Sequence, residues 1–364
     1  MNKIIQRELK YGAFNYRSLP VCLTKGKGIF LYDTNNKKYF DFLSCYSAVN
    51  QGHCHPSIIK ALKNQANNLT LTSRAFYNDK LGNYMEYIAT VFDYEKVLPM
   101  NTGVEAGETA IKIARKWGYE KKGVKEATVL FAENNFWGRT LAACSSSSDP
   151  TCFTNFGPYM KGFDLVPYNN LEAIENKFKD NKDIVAIMLE PIQGEAGVII
   201  PDTNYLANVK SLCQKYNVLL IADEVQTGLG RTGKLLASYH DNIKPDILCL
   251  GKALSGGVLP ISAVLADDNI MKVITPGTHG STFGGNPLAS VVATESLKVI
   301  LEQRLSENSE KMGNLFRDAL SNCKRDFIIE IRGKGLMNGI ELEDKKITDQ
   351  VCLKLIEKGI LTKS

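Results

Sequence analysis

The chain has 364 residues, of which 44% are hydrophobic and 23% charged, with a formal net charge of +5. Those fractions are ordinary for a soluble globular protein and exclude a disordered, charge-dominated chain. The length suits two domains, or one large α/β domain with an appendage. No long run of like charges is present, which argues against a nucleic-acid arm or an acidic tail.

The N-terminus, Met1 to Glu8, has no secretory apolar core and does not read as an Arg- and Ser-rich transit peptide. No stretch approaches the roughly 18 apolar residues of a membrane span. Nine cysteines without any C-x-x-C spacing fit a reducing compartment, so the expected location is the cytoplasm. His53-Cys54-His55 is the one His/Cys cluster, and no second ligand pair follows at finger-like spacing. It is read as a packed turn, with no metal site expected.

Residues 26–43 read as a small β unit around the polar turn Asp33-Thr34-Asn35-Asn36. Short apolar runs at Thr128–Phe131, Val185–Leu189, Val218–Ala222, Asp246–Leu250 and Ile261–Leu265 have the length of strands covered on both faces. Between them, Glu105–Trp117 and Leu206–Tyr216 repeat apolar residues at steps of three and four, as helices do. Asn286-Pro287 opens a long helical pattern, and a second helix follows around Lys311–Leu320. Phe327–Ile331 and Leu336–Leu342 then read as strands, and Ser145–Ser148 as a loop. Strands alternating with helices predict an α/β fold with a mainly parallel central sheet. The expected organisation is residues 1–45 as the first part of a small α+β domain, 46–284 as the large domain, and 285–364 as the rest of the small one.

Gly228-Leu229-Gly230-Arg231-Thr232-Gly233-Lys234 matches both G-x-G-x-x-G and G-x-x-x-x-G-K. The phosphate-loop reading fails at Leu235, where a Ser or Thr hydroxyl should hold magnesium. The dinucleotide reading is weakened by Asp223-Glu224 ahead of the glycines and by Arg231 in the turn.

A different chemistry lies at the strand ends. Val218–Ala222 delivers Asp223, and the next strand ends in Gly251-Lys252. The separation is about one crossover, so both side chains can enter one crevice at the carboxyl edge of the sheet. A buried carboxylate there is costly unless paired. An acid and a lysine so placed form either a plain ion pair or a pyridoxal-phosphate site. In the second case the amine forms a Schiff base and the acid keeps the pyridine nitrogen protonated. Asn101-Thr102-Gly103-Val104-Glu105 lies at a strand-to-helix junction, where free N–H groups suit a phosphate; an ordinary capped helix start is the alternative.

Asp223–Gly233 and Lys252-Ala253-Leu254-Ser255-Gly256-Gly257 resemble the signature of the class III (subgroup II) pyridoxal-phosphate aminotransferases. Residues 42–56, Asn135–Thr140, Glu190–Gly197 and His279–Pro287 extend the resemblance over nearly the whole chain, towards the ornithine-using branch. The resemblance implies a fold-type I transferase and pyridoxal 5'-phosphate as cofactor. It implies transfer of the δ-amino group of L-ornithine to 2-oxoglutarate, giving glutamate 5-semialdehyde and glutamate, within proline and arginine metabolism. It also implies a homodimer with shared active sites, and no nucleic-acid or membrane partner. Acetylornithine or 4-aminobutyrate aminotransfer is the alternative, as is a cofactor-binding homologue without turnover.

Carried over by position, Lys252 would hold the cofactor and shuttle the proton. Asp223 would face the ring nitrogen, Gln226 the ring hydroxyl, and Phe136 the ring face. Thr102, Gly103 and Val104 would cradle the phosphate, with Ser281 and Thr282 reaching a phosphate across the dimer. Arg139 would hold a substrate carboxylate, and Tyr16 and Tyr46 would line the substrate pocket. In the family Glu195 alternately pairs with and releases an arginine near the C-terminus. The sequence stops at Ser364, before that arginine, so Glu195 is expected to lack its partner and the small domain to expose apolar surface.

Overall fold

The computed structural model describes residues 3–323 and 325–364. Strands β1 (Leu23–Lys27), β2 (Phe30–Asp33) and β3 (Lys38–Asp41) form an antiparallel unit near the N-terminus. The polar turn ahead of β3 is fixed by Asp33, whose carboxylate accepts the N–H groups of Asn35 and Lys37 at 2.8 and 2.9 Å. Such a side-chain acceptor replaces the backbone partner that a tight turn lacks.

The central sheet comprises β4 (Lys96–Met100), β5 (Thr128–Ala132), β6 (Phe163–Val166), β7 (Ile184–Leu189), β8 (Leu219–Asp223), β9 (Ile247–Leu250) and β10 (Ser262–Ala266). Their order is β4-β10-β9-β8-β7-β5-β6. Only β10 runs against its neighbours, so the sheet is mainly parallel, as expected.

Alternation explains why these strands are apolar throughout. Leu219 and Ile221, Ile247 and Cys249, and Val264 and Ala266 share one face with Ala106, Ala110, Ile113 and Ala114 of the Gly103–Trp117 helix. Leu220 packs with Val209 and Leu206 on the other face, and Leu248, Leu250 and Leu265 pack there with Val292 and Leu297. Both faces are covered, so each large side chain contributes about 1.5–3 kcal/mol of burial. The helix Pro287–Glu302, which falls after residue 284 in the chain, packs in this way on the central sheet.

Two further strands, β11 (Ile328–Lys334) and β12 (Met337–Leu342), form an antiparallel pair. The helix Lys345–Glu357 then leads to β13 (Ile360–Leu361), which joins β3 in parallel. The N-terminal sheet is thereby completed by the C-terminal end of the chain. Ile329, Ile340 and Leu353 are exposed in this region.

Candidate active site

Strand parity places the first acid. Asp223 follows Leu219 and Ile221 on the face that carries the Gly103–Trp117 helix. Its carboxylate is only 7% exposed and accepts one backbone N–H, from Val225 at 3.1 Å. Burial pushes its pKa up to about 6, against the lowering effects of that N–H and of Lys252. Lys252 follows β9, with a left-handed backbone at φ +45°. Burial lowers the pKa of its amine, and the nearby carboxylates of Asp223, Glu195 and Glu190 oppose the shift. Among the described residues its Nζ has no hydrogen-bond or ion-pair partner. The pair is therefore an under-satisfied acid beside an unpartnered amine, unlike the closed ion pair of the plain structural alternative.

Lys252 lines a cavity of about 390 Å³ together with Thr102, Gly103, Asn101, Ala48 and Ser255. At its edge the Gly103–Trp117 helix begins with a full capping box. Thr102 Oγ1 accepts the Glu105 N–H at 3.3 Å, and Glu105 Oε2 accepts the N–H groups of Asn101 and Thr102 at 2.9 and 2.7 Å. Both readings of this junction therefore hold. The helix start is capped, and the cap leaves the N–H groups of Gly103 and Val104 without partners among the described residues. Free N–H groups at the positive end of a 15-residue helix form an anion seat. Gly103 is required there, since a Cβ would lie 2.8 Å from Val225 Cγ1.

The donor set fits pyridoxal phosphate. The anion seat, the buried carboxylate and the free amine match the phosphate, the ring nitrogen and the aldehyde of that group.

Phe136 is half-buried, and its N–H donates to Glu190 Oε1 at 2.8 Å. The Arg139 guanidinium lies 5.4 Å from the centre of the Phe136 ring and is exposed. Gln226 donates to Glu195 Oε1 at 3.3 Å. Glu195, expected to have no partner, thus has an amide in place of an arginine. Ser281 Oγ accepts from Asn101 Nδ2 at 2.9 Å, which ties its loop to the cavity wall within one chain. Thr282 is exposed. Tyr16 is 70% exposed and is not among the residues lining the cavity.

Tyr46 sits in an unusual turn. Ser44, Cys45, Tyr46 and Ser47 all have left-handed backbones, with φ of +52°, +47°, +56° and +73°. This conformation costs an L-residue roughly 1–2 kcal/mol, so the surroundings must hold it. The turn runs into the cavity wall at Ala48. The Tyr46 hydroxyl accepts from Lys363 Nζ at 3.1 Å.

Three contributors escape the sequence reading. Glu190 also accepts the Gly194 N–H at 3.3 Å, and burial pushes its pKa up to about 8. Arg332 donates to Gly197 O at 3.0 and 2.8 Å, beside the Glu195 loop, while also pairing with Glu330 and Glu341. Asn101 bridges the cavity to Ser281. Their partners are backbone groups or distant side chains, which no local pattern reports.

Known proteins give the geometry its context. The pattern of the family described as aminotransferase class III matches residues 11–364. The chain belongs to the class III aminotransferases. A Caenorhabditis elegans protein named probable ornithine aminotransferase, mitochondrial, is 59% identical over 364 residues, covering 100% of this chain and 86% of the relative. The crystal structure of the Toxoplasma gondii ornithine aminotransferase matches with a TM-score of 0.97 at 49% identity, covering 99% of this chain and 86% of that one. An acetylornithine aminotransferase from Elizabethkingia anophelis matches with a TM-score of 0.91 at 50% identity, covering 99% and 90%. Class membership makes the chain an aminotransferase. Among the described residues, no helix is long and apolar enough to cross a membrane.

Proposed function

We propose that the site carries out pyridoxal-phosphate-dependent transfer of the δ-amino group of L-ornithine to 2-oxoglutarate. The observation that carries this reading is the unpartnered Lys252 amine beside the buried Asp223 carboxylate, with the free Gly103 N–H on the same cavity as the amine and that of Val104 next to it in the helix start. The ornithine assignment is supported by relatives of that name, at 59% identity in sequence and 49% in structure.

The cofactor, when bound, supplies an electron sink that stabilises charge at the substrate carbon. The protein supplies the rest. Burial favours the neutral form of the Lys252 amine, as a nucleophile and a proton carrier require. Asp223 would offer its ionised carboxylate to the ring nitrogen, and Gln226 its amide to the ring hydroxyl. Phe136 would pack on the ring face. Gly103 and Val104 would donate their N–H groups to the phosphate, with Thr102 beside them. Arg139 presents its guanidinium fork to a substrate carboxylate. Tyr46 lines the substrate side, and Tyr16 joins it in the assembled enzyme. Glu195 adjusts the charge of the pocket between the two amino donors.

A homodimer with shared sites is part of this proposal. Thr282 and Phe283 follow Ser281, which Asn101 ties to the cavity wall, and both are exposed, where a second subunit would meet them. Light scattering tests it, with a monomer as the contrary result. We also propose that both chain ends form one smaller unit around β1, β2, β3 and β13, a division supported by the β13–β3 pairing. All nine thiols are unpaired, which supports a reducing compartment. We propose the cytoplasm; recovery in a mitochondrial fraction, the location in the nematode relative's name, would replace it.

The test is an absorbance spectrum of the protein reconstituted with pyridoxal phosphate, before and after L-ornithine, with Lys252→Ala as control. A band near the visible that needs Lys252 and disappears with ornithine supports the reading. A band that survives ornithine but falls with acetylornithine favours the acetylornithine reading, which the Elizabethkingia anophelis match motivates. No band with any donor overturns the cofactor site.

A further inference from the structure

The glycine-rich segment 228–234 has a role in neither nucleotide binding nor the cavity wall, yet its one arginine is heavily engaged. Arg231 Nε donates to Asn50 Oδ1 at 3.1 Å, and Nη2 donates to the same oxygen at 2.5 Å and to Ser44 Oγ at 2.8 Å. Its Nη1 donates to Leu336 O at 3.1 Å. Asn50 returns a hydrogen bond to Leu229 O at 3.0 Å. From the other side, Asp41 Oδ1 accepts the N–H groups of Leu43 and Ser44 at 3.0 and 2.8 Å, and Asp41 Oδ2 meets His53 Nε2 at 2.7 Å. These contacts bracket the left-handed turn Ser44–Ser47 at its first residue and just beyond its last.

A run of four left-handed L-residues does not persist unaided. Local backbone hydrogen bonds, from the Tyr46 N–H to Leu43 O and from the Ala48 N–H to Ser44 O, both at 3.0 Å, close the turn, but Ser44 to Ser47 include no glycine or asparagine to ease its backbone. Further stabilisation comes from outside the turn, from a planar fork that donates and a carboxylate that accepts. A fork is suited to this task, because it reaches Ser44, Asn50 and Leu336 at once, whereas a lysine could reach only part of that set. The element so held carries Tyr46 and leads directly into Ala48, which lines the cavity that contains Lys252.

We propose that Arg231 is a positioning residue, which clamps the Ser44–Ser47 turn with Asp41 and thereby sets Tyr46 against the amino donor. Arg231 does not touch the substrate; it acts through the turn. The proposal rests on the reading of Tyr46 as a substrate residue, so the test separates the two.

The holoenzyme is compared with Arg231→Lys, Ser44→Ala and Tyr46→Phe, and with each of the first two combined with Tyr46→Phe. Arg231→Lys and Ser44→Ala are expected to raise the KM for ornithine about five- to tenfold, with kcat within about twofold and the cofactor band retained. In the double variants the KM should be no worse than in Tyr46→Phe alone, because the clamp acts only through that side chain. Asn50→Leu, which removes the acceptor for Arg231, should behave like Ser44→Ala. Multiplying losses in the double variants would overturn the clamp while leaving Tyr46 a substrate residue. A loss of Tm with an unchanged KM would reduce Arg231 to a purely structural role and overturn the proposal too. A parental KM in Tyr46→Phe would remove both the Tyr46 assignment and the clamp, while ornithine turnover by the parent kept the activity standing.

Discussion

Glu190 and Phe136 are joined by a 2.8 Å hydrogen bond from the backbone N–H of the phenylalanine to the buried carboxylate. The other oxygen of Glu190 takes the Gly194 N–H at 3.3 Å, so one side chain ties the aromatic wall to the loop carrying Glu195. Glu190→Gln keeps an acceptor for Phe136 but sets an NH2 group against the Gly194 N–H. Leaving that donor buried and unsatisfied costs about 1–3 kcal/mol. The expected result is a looser Glu195 loop, with an ornithine KM raised several-fold and little change in the cofactor band. Stopped-flow spectra of the first half-reaction would check it; an unchanged KM would detach Glu190 from the site.

The same burial sets a pH dependence. In the folded protein Glu190 is pushed up to about 8 and Asp223 to about 6, both from ordinary carboxylate values, with burial as the leading cause. As pH rises, the unfolded chain gives up these protons first and the folded chain holds them longer. The unfolded state then binds fewer protons, so stability falls with rising pH. For Asp223 the fall runs up to about pH 6, and for Glu190 up to about pH 8. The Tm of the cofactor-free protein should therefore drop between pH 6 and 8, and Glu190→Gln should flatten that drop. A Tm that climbs across this interval in the parent would contradict the burial argument.

Gly103→Ala probes the anion seat. The added methyl would meet Val225 Cγ1 at 2.8 Å, and Val225 also donates its N–H to Asp223. Displacing Val225 disturbs the seat and the acid together. Weaker retention of pyridoxal phosphate, on the order of tenfold, is expected from one poorly placed charge-assisted hydrogen bond. Fluorescence titration of the cofactor reads it, and an unaltered affinity would show that Val225 gives way without consequence.

Legibility followed the range of the forces involved. The runs at Val185, Val218 and Ile261 were readable because a strand covered on both faces has no polar positions to interrupt it. Asp223 and Lys252 were readable because each breaks such a run at its end. The Gly103 and Val104 seat was readable as a helix start, but not which N–H groups the capping box would leave free. The four-residue β6 and the β13 closure of the N-terminal sheet carry too little pattern to stand out. The turn Ser44–Ser47 was hidden for a stronger reason: its backbone is one that its residues disfavour, and part of what holds it is Arg231, far along the chain. The family resemblance pairs Glu195 with an arginine and gives Gln226 to the ring hydroxyl, so the hydrogen bond between these two side chains has no counterpart in the pattern.

Arg139 gives the sharpest test of substrate recognition. Its guanidinium lies against the Phe136 ring at 5.4 Å, is exposed, and has no ion-pair partner among the described residues. A fork held against an aromatic face loses little freedom when a carboxylate arrives, and it can bind both oxygens. Lysine keeps the charge but not the paired geometry. Arg139→Lys is therefore expected to raise the ornithine KM by roughly tenfold, and Arg139→Ala further, since a charged hydrogen bond is worth about 1.5–3 kcal/mol. Because the side chain is exposed, Tm should move by no more than a degree or two in either variant. Steady-state kinetics on both variants, set beside an amine donor that lacks the α-carboxylate, would decide the matter. Equal losses for both donors would show that Arg139 supports the Phe136 wall instead of reading the carboxylate.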